Sequence, residues 1–333
     1  MVANRAAILP TPGDPFLLTY WYKMFNKVWR DEVDKLYIHV NGQTDKEVLR
    51  YFRNLFEKDD KVVYIESIGM VDHGNAILKA LDECKEKHVM LVEDDGFVFK
   101  SGKVKACFNK LEEDYAIVGS KRGSCSQELL DKAQAKWNLD YSGFGDSGCN
   151  FWPNFFFTSK QLLKLTDCNF NAVAWKAGDI IGGLNQSAEA DCVGDTFVNT
   201  SLQLRGLVPD NRIYYEPQYH GATDDEDDYQ AKTNIWSPDA CWLHVGSLSS
   251  GYFGLLDIEK DLPSGVFETT QEKMELERRI VFWLIFSNAW ENEELLKDQH
   301  NDYKEAIRQL VHCYDLDASR IARRKAQYKE VLK

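Results

Sequence analysis

The chain has 333 residues, 44% of them hydrophobic, and a formal net charge of −13. That is enough apolar material for one large core or two modest ones. The acidic balance argues against a broad phosphate-binding face, because nucleic-acid affinity comes mainly from neutralising backbone charge. The longest apolar run, Ile280 to Phe286, is far too short to cross a bilayer, and no basic-then-apolar leader opens the chain, so the expectation is a cytoplasmic protein. The 8 cysteines have no paired spacing and read as reduced thiols rather than as a disulfide or metal framework.

In chain order, "RAAILP" and "KLYIHV" read as strands, with helical patterns over Phe16 to Trp29 and Lys46 to Phe56. "KVVYIES" is the next strand, His73 to Lys85 a helix with Ile77, Leu78 and Leu81 on one face, and "HVMLVEDD" a further strand. This alternation predicts an α/β protein with a Rossmann-like, mostly parallel sheet flanked by helices. Ligands in such sheets bind beyond the carboxyl ends of the strands. "YAIVGS" continues the strands, and the glycine- and aromatic-rich "YSGFGDSGCNFWPNFFF" reads as a loop entering a buried strand, with Phe155 to Phe157 in the core. Asp179 to Gly194 looks loop-like, Asp195 to Arg205 helical with Gly206 as its stop, and "RIYYEP" a strand. "TDDEDDYQ" lacks the glycine-turned spacing of a calcium loop and reads as a solvated charge run. After "CWLHVGSLSSGYFG" the chain becomes helical, chiefly over Leu276 to Trp290 and Tyr303 to Leu332.

Glu93, Asp94 and Asp95 interrupt an apolar run, "HVMLVEDDGFVF". Acids commonly sit where a strand emerges into water, but adjacent carboxylates repel and raise one another's pKa unless something positive lies between them. A divalent cation meets that need.

With these segments in view, the chain resembles the nucleotide-sugar glycosyltransferases of the GT-A fold, family 2-like, whose signature is a D-x-D or E-D-D triplet after the fourth strand. "VEDD" matches it. "AILPTPGD" looks like the first strand and nucleotide loop, "IHVNGQTD" like the second-strand segment, and "HGNAILKAL" like the helix feeding the triplet. "GDTFVNTSLQLRG" is similar to the helix that carries the catalytic base, and "HVGSLS" to an H-x-G-x-x-S element supplying a metal ligand. The resemblance covers most of the first 250 residues. It implies a GT-A domain over 1–260, with a nucleotide-sugar-binding half at 1–120 and an acceptor and catalytic half at 121–260, followed by a helical extension over 261–333.

The same resemblance implies the site. Pro10, Thr11, Asn41, His73, Asn75, Glu93, Asp94 and Asp95 would face the donor. Asp95, His244 and Glu93, directly or through water, would hold Mn²⁺ or Mg²⁺, hard cations that oxygen ligands suit and, for Mn²⁺, an imidazole as well. Asp195 would be the base, with Asp191 as backup. Two departures matter: Val40 replaces an aspartate that often reads the nucleobase, so a UDP-sugar donor is the family default, and Gly194 replaces the usual glutamate before Asp195. A plain helix cap by Asp72 or Asn75, an N-cap role for Asp195 and a satisfied strand histidine at 244 account for the same residues without chemistry.

The expected activity is metal-dependent, inverting transfer of a sugar from a nucleotide-diphosphate donor to a hydroxyl of a glycan or small molecule. Trp152 is an acceptor candidate among aromatics that also include Trp137, Tyr141 and Phe144. Lys121, Arg122 and the basic run "SRIARRKAQYKEVLK" read either as solvated or as a contact with a membrane, nucleic acid or partner. The rivals are a transferase acting on hydroxymethylated DNA bases of phage type, a nucleotidyltransferase, whose basic phosphate loop "PTPGDP" lacks, and a non-catalytic sugar-nucleotide-binding module.

Overall fold

A computed structural model describes residues 4–98, 100–120, 151–181, 186–187, 192–194, 196–217, 219–220, 235–236 and 241–244. The expected helical extension over 261–333, the acidic loop, Lys121, Arg122, Trp137, Tyr141, Phe144, Asp191 and Asp195 lie outside the described residues.

Strands β1 (Arg5–Thr11), β2 (Lys35–Asn41), β3 (Val62–Ser67) and β4 (His88–Leu91) run parallel in the order β4-β1-β2-β3. β6 (Ile117–Ser120) and β12 (Ile213–Glu216) pair in parallel on the other side, and β7 (Phe156–Ser159) lies antiparallel between β4 and β6. This seven-stranded sheet, in the order β12-β6-β7-β4-β1-β2-β3, is mostly parallel, as expected, with β7 as its antiparallel member.

Side-chain alternation splits the core in two. Along β1, Ala7 and Leu9 face one side with Ile38, Met90 and Phe157, where α1 (Pro15–Met24), α2 (Lys46–Phe56) and α4 (Lys103–Glu113) pack. Ala6 and Ile8 face the other with Val89, Leu91 and Phe156, against α3 (His73–Glu83), α5 (Lys160–Lys164) and α6 (Val198–Leu207). A strand buried on both faces must be apolar at nearly every position, which is why "AAIL" does not alternate in polarity.

Several boundaries differ from expectation for identifiable reasons. The first helix ends as α-helix at Met24 and continues as a π turn over Phe25–Trp29 and a 3-10 turn over Arg30–Glu32. Four residues overshoot an α turn and fall short of a π turn, so the change keeps the buried rings of Trp21, Phe25 and Trp29 on one side. The stop of α6 is not Gly206: the helix runs to Leu207, and the following Val208 is extended because Pro209 disfavours helical geometry in the residue before it. Residues 179–194 are not simply loop. They contain β9 (Ile180–Ile181) paired with β10 (Gln186–Ser187), and β11 (Cys192–Gly194) paired with β8 (Val173–Trp175), ladders too short to leave a periodicity in sequence.

β4 stops at Leu91, short of the acids. Gly96 N–H donates to the Glu93 carbonyl at 3.0 Å, closing a turn. β5 (Gly96–Val98) then leaves the main sheet and joins a second one in the order β13-β14-β15-β5, with β13 (Tyr219–His220), β14 (Ile235–Trp236) and β15 (Trp242–His244). The apolar run therefore resumes after the acids because the chain changes sheets there.

Candidate active site at the carboxyl edge of the sheet

The turn carrying Glu93, Asp94 and Asp95 is fixed from three sides. Trp21 of α1 donates its indole N–H to the Gly96 carbonyl at 2.8 Å. Asn154 packs so closely that a Cβ on Gly96 would lie 2.2 Å from its Oδ1. The antiparallel register of β5 and β15 sets His244 opposite Gly96. All three acids and His244 are buried.

This arrangement assembles a ligand set. His244 Nε2 lies 3.3 Å from Asp95 Oδ1 and 3.9 Å from Glu93 Oε2. One ligand atom from each of Glu93, Asp95 and His244 falls within 4.8 Å of the others. Burial, and next the charge of Asp95, push the Glu93 carboxyl up to about 8. Two carboxylate oxygens and an imidazole nitrogen suit Mn²⁺ or Mg²⁺, and the crowding of negative charge in a dry site is what a cation relieves. The residues fit the implied metal.

Asp94 turns the other way. Its Oδ2 accepts the Thr11 hydroxyl at 2.5 Å, and Thr11 Oγ1 in turn accepts the Gly13 N–H at 3.0 Å. The acidic turn is thus tied to the loop after β1, where Pro10 and Thr11 end the strand. Gly13 has φ +79, and a Cβ there would lie 2.6 Å from Val40 Cγ1, so the loop requires glycine. Val40, in the place of the family aspartate, is fully buried. Asn41 at the end of β2 bonds both main-chain groups of Val71, at 2.8 and 2.9 Å, which fastens the connection between β3 and α3.

At the start of α3, His73 Nε2 lies 3.6 Å from Glu93 Oε1, with 37% of the His73 side chain exposed. Desolvation holds its pKa below the ordinary value, partly offset by the charge of Asp95. Asp72 occupies the N-cap position without a side-chain cap bond; the Asn75 N–H is instead taken by Asn171 Oδ1 at 2.9 Å, and Asn171 Nδ2 returns a bond to Asn75 Oδ1 at 3.0 Å. Gly74 permits that approach, since a Cβ there would lie 2.2 Å from the Phe170 carbonyl carbon. Trp152 stands beside the acids, its indole N–H donated to Glu93 Oε2 at 2.8 Å.

Residues 25–178 match the family model described as Glycosyl transferase family 2. The matched stretch takes in the start of α3, the acidic turn and Trp152, while Thr11 and His244 lie beyond it and reach the site through β1 and β15. Among curated proteins nothing matches. Solved structures similar to the chain include S. aureus TarS 1–349 in complex with UDP-GlcNAc, 13% identical over 48% of this chain and 46% of that one, TM-score 0.35. The same TarS fragment in complex with UDP is 14% identical over 48% of each chain, TM-score 0.33. A TarS crystal structure is 15% identical over 49% of this chain and 30% of that one, TM-score 0.33. The chain thus spans less than half the length of the solved proteins it matches.

The fold brings together Pro10, Thr11, Asn41, His73, Asn75, the three acids, Trp152 and His244 at or near one edge. Asn154 and Asn171, which hold the acidic turn and the start of α3, were not singled out from sequence. Both act through side-chain contacts with elements far away in the chain, and no local motif marks them.

Proposed function

We propose that the protein is a metal-dependent, inverting glycosyltransferase that moves a sugar from a nucleotide-diphosphate donor, a UDP-sugar by family default, to a hydroxyl of a glycan or small molecule. The observation that carries this reading is the buried set of Glu93, Asp95 and His244 beside an Asp94 locked to Thr11. Supporting it is the family 2 match over residues 25–178.

Asp95 and His244 would hold the ion, with Glu93 as a third ligand directly or through water. The ion would offset the charge that builds on the diphosphate as the sugar-phosphate bond breaks. The chain's own residues do the rest. Thr11 fixes the Asp94 carboxylate, and Asp94 orients the donor sugar. Exclusion of water from the buried turn strengthens every charge interaction there. Asp195, or Asp191 as backup, takes the proton of the acceptor hydroxyl while the anomeric carbon passes through an oxocarbenium-like state. With a net charge of −13, a neutral or glycan acceptor is favoured over DNA.

The test is a thermal-shift screen of UDP-, GDP-, CMP- and dTDP-sugars with and without Mn²⁺, since a ligand specific to the folded state raises the melting temperature. The reading expects a UDP-sugar to stabilise only when Mn²⁺ is present. No stabilisation by any sugar nucleotide, with or without Mn²⁺, would contradict it.

A further inference from the structure

We propose that Trp152 is a positioning residue of the metal centre, holding the Glu93 carboxylate in the orientation that lets it face the cation, and that this, rather than stacking on an acceptor, is its main task. The inference rests on the metal reading above and deepens it.

The indole N–H donates to Glu93 Oε2 at 2.8 Å. That oxygen is also the Glu93 atom 3.9 Å from His244 Nε2. A carboxylate free to rotate would divide its time among several orientations; one whose oxygen accepts a fixed N–H keeps its remaining lone pairs directed at the space shared with Asp95 and His244. Ligating carboxylates are commonly held by hydrogen bonds of this kind, and losing the partner weakens metal binding.

The donor itself is well placed to stay still. Phe151 is fully buried, stacks on Tyr215 at 6.2 Å, and its carbonyl accepts the Ser201 hydroxyl of α6 at 2.7 Å. On the other side Asn154 is wedged against Gly96, and Phe155, at φ 56, stacks on Trp242 with centroids 4.7 Å apart. Trp242 is two residues from His244 on β15. One short segment therefore braces two ligands: Trp152 reaches Glu93, and Phe155 supports the strand that carries His244.

The residue type fits the task. Indole offers one N–H, accepts nothing and does not titrate. A lysine or arginine in its place would satisfy Glu93 as a hydrogen-bond donor but would bring a positive charge into the space meant for the cation. His73, 3.6 Å from the other Glu93 oxygen, changes charge with pH. Trp152 gives a directional bond that is neutral at every pH.

The experiment is a Mn²⁺ titration without nucleotide, followed by electron paramagnetic resonance of the free ion, on the full chain and on Asp95→Ala, Trp152→Phe and a protein carrying 3-benzothienylalanine at position 152. The last keeps the shape of tryptophan but has sulfur where the N–H was, so it tests the bond even if the phenylalanine variant folds poorly. The expected result is binding by the parent, none by Asp95→Ala, and affinity about 10- to 100-fold weaker for both position-152 variants. A purely stacking role would instead leave the Mn²⁺ affinity of the benzothienyl protein, which keeps the stacking face, at the parent value. Parent-like Mn²⁺ affinity in the benzothienyl protein overturns the role of Trp152 and leaves the metal reading standing. Failure of the parent to bind Mn²⁺ overturns both.

Discussion

Two carboxylate sites in this protein are built in opposite ways. Asp59, between α2 and β3, is furnished by the chain itself: Arg30 grips it through Nη1 and Nη2 at 2.5 and 2.6 Å, the Tyr22 hydroxyl and the Lys61 N–H donate to it as well, and its pKa falls to about 2, chiefly through the Arg30 bond. Glu93, buried beside Asp94 and Asp95, meets an indole N–H and two imidazoles among the described residues, and its pKa rises to about 8 through burial and then Asp95. One carboxylate is a finished structural joint, securing the segment after α1 to the entrance of β3. The other is set among charges of its own sign, an arrangement that costs stability and makes physical sense where a cation comes from outside.

The contrast is sharpened first at the chemistry. Asp195→Asn should keep donor affinity and lower transfer by roughly a hundred- to ten-thousandfold, because a general base acts in the transition state rather than in ground-state binding. Donor titration and initial rates on one preparation separate the two. An unaffected rate would pass the role to Asp191 or point to a retaining reaction.

At the structural joint the expectations concern stability and leave metal binding alone. Asp59→Ala leaves the Arg30 guanidinium with Asn26 and the exposed Asp60 as partners and should cost about 1–3 kcal/mol in urea unfolding, with Mn²⁺ affinity unchanged. The pH dependence has a definite sign. Because the folded pKa of Asp59 lies below its unfolded value, its contribution is complete above about pH 4 and is lost as pH falls towards 2. With 27% of the Arg30 side chain exposed, solvent screening trims that contribution to about 1–2 kcal/mol. Asp59→Ala should flatten stability across that acid window, which unfolding curves at pH 4 and pH 2.5 would read.

A smaller effect is expected where the loop after β1 meets the acids. Thr11→Val keeps the β-branched shape and removes the hydroxyl donated to Asp94 at 2.5 Å. Sugar-nucleotide affinity should weaken about tenfold, the worth of one hydrogen bond to a charged group. Calorimetric titration of the variant with a UDP-sugar and Mn²⁺ measures it, and unchanged affinity would mean that Asp94 needs no anchor.

The sequence made the central parallel strands legible because they are buried on both faces and therefore continuously apolar, as "AAIL" in β1 and "HVML" in β4 are. It made the acidic triplet legible because three carboxylates are out of place in such a run. His244 could be proposed only through the resemblance; what brings it to Asp95 is the β5 and β15 register, a pairing across more than 140 positions. Asn171 capping α3 and Asn154 seated on Gly96 left no local trace for the same reason. Gly206 marks the end of α6 in sequence, but the helix runs on to Leu207 because Pro209, acting on Val208, is the stronger constraint.

The most direct test of the central claim, that Glu93, Asp95 and His244 bind a divalent cation together with the nucleotide, is the melting temperature of the parent and of Asp95→Ala with UDP, with and without Mn²⁺. The account predicts a UDP-dependent rise in the parent only when Mn²⁺ is present, and none in Asp95→Ala, which sits in a turn and should fold normally. Nucleotide stabilisation of Asp95→Ala with an unchanged Mn²⁺ requirement would contradict it.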